Sequence, residues 1–82
     1  MPTIQFVSGF RVMILTNDHP PPHVHVVGSG GHAKVQLDCV NGRAELLWFE
    51  SISRSDLRRI IEAVESSIER LCTEWGKFHG QA

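Results

Sequence analysis

The run His23-Val24-His25-Val26-Val27-Gly28-Ser29-Gly30-Gly31-His32-Ala33-Lys34-Val35-Gln36-Leu37-Asp38-Cys39-Val40-Asn41-Gly42-Arg43-Ala44-Glu45-Leu46-Leu47-Trp48-Phe49 decides the fold of this chain. Polar and apolar residues alternate around two glycine-bearing turns, which is the period of half-buried strands. Asn41-Gly42 is a two-residue hairpin signal of the type I′ kind. Pairing Val40 with Arg43 across it sets Cys39 opposite Ala44 and Leu37 opposite Leu46. Closing Val27 on His32 across the glycine loop sets His25 opposite Lys34 and His23 opposite Gln36. Both hairpins then share one apolar face, formed by Val24, Val26, Ala33, Val35, Leu37, Cys39, Ala44, Leu46 and Trp48. A one-residue slip in either hairpin destroys that agreement.

Outward from this run the chain reads simply. Thr3 to Val7 is a strand, and Arg11 to Thr16 is a second, nearly all-apolar one, as for a central strand covered on both sides. Strands are therefore expected over about 3–7, 11–16, 23–27, 32–40 and 43–49. Ser53-Arg54-Ser55-Asp56 has the form of a capping box with Ser53 as N-cap. Apolar residues from Leu57 through Ile60, Val64, Ile68, Leu71 and Trp75 to Phe78 recur at helical spacing. The expectation is a single α+β domain over residues 1–82, with one long helix over about 54–78 packed on one face of a five-stranded antiparallel meander.

With 82 residues, the chain has room for one modest core. Its net charge of −1 lacks the basic excess of most nucleic-acid binders. Cys39 and Cys72 are far apart and fall on apolar stripes, which reads as two reduced core thiols. Neither a signal peptide nor a membrane-length apolar run is visible, so a cytoplasmic protein is expected.

Chemistry concentrates before and within the third strand, in Asn17-Asp18-His19-Pro20-Pro21-Pro22-His23-Val24-His25-Val26. The three prolines read as a stiff arm close to polyproline II, carrying Asp18 and His19. His23 and His25 project from one strand face, with Lys34 beside them. Three uses stay open. The face is solvated or binds a partner; or two histidines act as acid and base with Lys34 stabilising negative charge; or His23, His25 and His19 hold a metal ion. A phosphate-binding loop is not supported at Gly28-Ser29-Gly30-Gly31, because no Lys-Ser/Thr and no helix follow it. Trp48 and Trp75 fall on the apolar stripes and read as core.

The opening Met1-Pro2-Thr3-Ile4, the Asp18-His19-Pro20-Pro21-Pro22-His23-Val24-His25 segment and the Ser53-to-Ile60 helix opening resemble the small prokaryotic family called domain of unknown function 4160. The resemblance implies a toxin half of a type II toxin–antitoxin pair, partnered by an antitoxin of the domain of unknown function 2442 type. It carries Asp18, His19, His23 and His25 over as the family-defining residues. Some relatives have an acidic residue near His32, where this chain has histidine. On this reading the chain is a toxin without a cofactor, and if it is an enzyme it is a metal-independent nuclease acting on RNA. The alternatives are a non-catalytic interaction module and a small metal-binding protein. Exposed edge strands leave room for the antitoxin or a second copy.

Overall fold

The computed structural model describes residues 3–15, 19–28 and 30–79. Five strands, β1 (Thr3–Val7), β2 (Phe10–Met13), β3 (His23–Gly28), β4 (Gly31–Asp38) and β5 (Arg43–Glu50), precede two helices, α1 (Arg54–Ser66) and α2 (Ile68–His79). The strands form one antiparallel sheet in chain order. The α+β meander read from the sequence is the observed architecture.

One core lies between the sheet and the helices. Val12, Val24, Val26, Ala33, Val35 and Leu37 supply it from the strands, and Ile60, Val64, Leu71 and Trp75 from the helices. Each fully buried valine, leucine or isoleucine contributes roughly 1.5–3 kcal/mol relative to exposure. The second strand is not covered on both sides. Phe10 and Val12 are buried while Arg11 is exposed, so the strand alternates like the others.

The single long helix is a pair of helices. Ser67, at φ −111° and ψ 19°, leaves helical geometry between α1 and α2. Ser66 and Ser67 are consecutive weak helix formers whose hydroxyls compete for backbone groups, a physical reason for a break there. At the other end the Ser53 cap is as read, its hydroxyl accepting from Asp56 N at 3.1 Å.

The β3–β4 register is as read, with His23 opposite Gln36, His25 opposite Lys34 and Val27 opposite His32. The β4–β5 register differs by two residues: Asp38 pairs with Arg43 and Leu37 with Ala44. The turn is therefore the four residues Cys39–Gly42 and not Asn41-Gly42 alone. The Asp38 carboxylate sets it by accepting from Val40 N, Asn41 N and Asn41 Nδ2 at 3.2, 3.0 and 2.9 Å. A shift of two keeps every side chain on its face.

A bulge does not. Val35 pairs with Leu46 but Lys34 pairs with Trp48, leaving Leu47 as the extra residue. Beyond it the alternation of β5 reverses. Trp48, expected under the helix, stands instead on the histidine face, and Phe49 takes the helix-side position opposite Ala33. The cysteines are also corrected: Cys39 and Cys72 are joined in a disulfide, with Cα atoms 6.1 Å apart. The two-residue register shift puts Cys39 in the exposed turn instead of the sheet core.

Candidate functional site

Strand alternation puts His23 and His25 on the sheet face away from the core valines, and β4 adds His32, Lys34 and Gln36. His32 opposes Val27, so it lies diagonally across from His25, within reach of a long side chain. His25 Nδ1 and His32 Nε2 are 3.1 Å apart. One of these atoms carries the proton and the other accepts it.

The rings continue on both sides. His23 meets His25 edge-on at 5.2 Å, and Trp75 of α2 lies 5.2 Å from His23. His25 and His32 are 5.3 Å apart, and Trp48 meets His32 edge-on at 4.7 Å. Three imidazoles thus form a row between two indoles, in the order Trp75, His23, His25, His32, Trp48.

The row is graded in depth. His23 is only 5% exposed, and the Nε2 atoms of both His23 and His25 are buried. His23 Nδ1 donates to Pro21 O at 2.9 Å; a carbonyl only accepts, so the proton sits on Nδ1. Leu37 N donates to Pro22 O at 2.9 Å, which ties the proline arm to β4. The Pro20–Pro21 peptide bond is cis, unlike the trans bonds of polyproline II. His32 is half-buried and stands at the outer end beside Trp48, which is 41% exposed.

A cleft of about 270 Å³ opens beside the row, lined by His19, Pro21, His23, Lys34, Gln36 and Leu47. Of the residues singled out in the sequence, the structure gathers His19, His23 and Lys34 around this cleft and His25 next to it. Asp18 lies outside the described residues. Among the described residues no three His, Cys, Asp or Glu side chains are grouped to hold a metal ion. His32, Trp48 and Trp75 are the members that sequence reasoning left out of the site. The β3–β4 register already placed His32 on the right face; only the bulge could have announced Trp48.

The family described as Domain of unknown function (DUF4160) matches residues 9–76, and the chain belongs to that family. No curated protein and no solved structure matches it. Among the described residues no helix is long and apolar enough to cross a membrane.

Proposed function

We propose that this chain is the toxin of a type II toxin–antitoxin module and acts on RNA, in the cytoplasm, by metal-independent acid–base chemistry at the outer end of the histidine row. The observation that carries this reading is the 3.1 Å contact between His25 Nδ1 and His32 Nε2. A base held by a second group in one tautomer is the arrangement that proton abstraction needs. With Nε2–H donated to His25, His32 offers Nδ1 to take a ribose 2′-hydroxyl proton. His25 then faces the imidazolium and stabilises it. Lys34, two residues along the same face, stabilises charge on the phosphorane. The leaving 5′-oxygen at the exposed outer end takes its proton from solvent, since His19 lines the cleft at the His23 end of the row. His23 and His25 are not given direct acid and base roles here, because their Nε2 atoms are covered.

The test is degradation of total RNA by purified protein in the presence of a chelator. The wild type cleaves, and His32→Ala loses about 10²–10⁴-fold of the rate. RNA left intact by the wild type overturns the nuclease mechanism.

A second reading, a non-catalytic interaction module, is favoured by Leu47, Trp48 and Phe49. These three consecutive residues are 41%, 41% and 48% exposed on edge strand β5. An antitoxin strand adding to that edge would cover them. Intact RNA with retained growth inhibition is the outcome this reading expects.

A further inference from the structure

The Cys39–Cys72 bond joins the β4–β5 turn to α2. Cys39 is exposed and Cys72 is half-buried. Clefts of about 800 and 560 Å³ flank the bond, and both cysteines line both of them. A thiolate can therefore approach the sulfurs from either side, and accessible disulfides are the ones that exchange.

The bond also bears on the histidine row. Trp75 lies three residues beyond Cys72, one helical turn along α2, and shares the larger cleft with it. The same Trp75 stands against His23. Ser67 leaves helical φ/ψ between α1 and α2, although its N still donates to Ala63 O and its O still accepts from Leu71 N.

We propose that Cys39–Cys72 is an exchange site for a dithiol, and that its reduction loosens α2 and uncovers His23 at the inner end of the row. In the first step a dithiol's thiolate attacks one protein sulfur. The S–S bond breaks, and the other sulfur leaves as a thiolate and takes up a proton. The second thiol of the dithiol then attacks the mixed disulfide, releasing the second cysteine as a thiol. The protein gains two electrons and two protons, and the dithiol becomes a disulfide. The bond closes a sequence separation of 33 residues. Opening it returns chain entropy to local states in which α2 lifts. Ile68 and Leu71 remain buried anchors at the start of α2, so the change is confined to its outer turns.

The experiment uses the full-length oxidised protein and dithiothreitol without denaturant, and reads free thiols, amide hydrogen exchange and diethyl pyrocarbonate modification of His23. Two thiols appear, amides of α2 beyond Leu71 exchange about tenfold faster, and His23 is modified correspondingly faster, while β3 and β4 amides keep their rates. The Cys39→Ser/Cys72→Ser variant reproduces the reduced pattern if it folds by circular dichroism; if it does not fold, the reduced wild type decides. The proposal is overturned by thiols free before reduction, by a bond that resists dithiothreitol, by reduction that leaves α2 and His23 unchanged, or by acceleration across the whole sheet. None of these readouts depends on toxicity or RNA cleavage, so failure here is distinct from failure of the toxin reading.

Discussion

His25 Nδ1 and His32 Nε2 lie 3.1 Å apart across the β3–β4 pair, so one proton serves two imidazoles. The pair follows from antiparallel register: residues opposite Lys34 and Val27 on neighbouring strands are diagonal neighbours on one face. In the proposed chemistry His32 works at Nδ1 and His25 holds it. Long-range proton–nitrogen NMR checks this. Above the pH at which both rings are neutral, each shows a single tautomer with its proton on Nε2. His32→Ala removes the pairing, lets His25 populate both tautomers and costs about 1 kcal/mol of stability.

The Leu47 bulge brings Trp48 to His32, their rings meeting at 4.7 Å. Trp48→Leu removes the ring-current shift of His32 in proton NMR while changing stability by about 1 kcal/mol or less, since the indole is 41% exposed. Deleting Leu47 removes the bulge but leaves Trp48 directly after Leu46 and opposite Lys34, so the tryptophan stays on the histidine face and the same shift is retained. A His32 signal unmoved by Trp48→Leu would show that Trp48 does not belong to the row.

Gly31 is required by packing. A Cβ there would meet Ser51 O at 2.5 Å and Ile52 Cγ1 at 2.6 Å, where the chain passes from β5 toward α1. Gly31→Ala destabilises the fold by about 2 kcal/mol, as overpacking does, measured by urea denaturation. Gly30, at φ +77° with nothing within 4 Å of a Cβ, carries only the backbone penalty, and Gly30→Ala costs about 1 kcal/mol.

Asp38 titrates below the usual carboxylate range, first because Asn41 hydrogen-bonds its side chain. The depressed value stabilises the folded turn above the ordinary pKa of the unfolded chain, 3.8, and this contribution is lost as pH falls through the lower folded value. The Val40 and Asn41 amide resonances are therefore constant from neutral pH down to about 4 and move below it. In Asp38→Asn they show no such transition.

The meander, the face assignment as far as Leu46, and His23 and Lys34 at the cleft were legible because they follow from alternation, while His19 was marked by its place on the proline arm. The four-residue turn was hidden because a two-residue register shift leaves every face unchanged, and the Asp38 carboxylate that selects it acts through local hydrogen bonds. Trp48 was misplaced because Glu45-Leu46-Leu47-Trp48 holds two leucines in a row, which periodicity reads as continued alternation. The helix break was hidden because Ser66-Ser67 falls off the apolar stripe, and Ile68 and Leu71 continue the pattern beyond it. Placing Cys39 in the core followed from the same register error; in the turn it meets Cys72.

The central claim, that the outer end of the histidine row is the working site of a toxin, is tested most directly by growth of a bacterial host after induction of this chain. Wild type, His32→Ala and His25→Ala are compared, with each variant's fold verified by circular dichroism. Arrest by the wild type, with growth restored by both folded variants, is the predicted result. Arrest by folded His32→Ala equal to that of the wild type, or no arrest by the wild type, contradicts it.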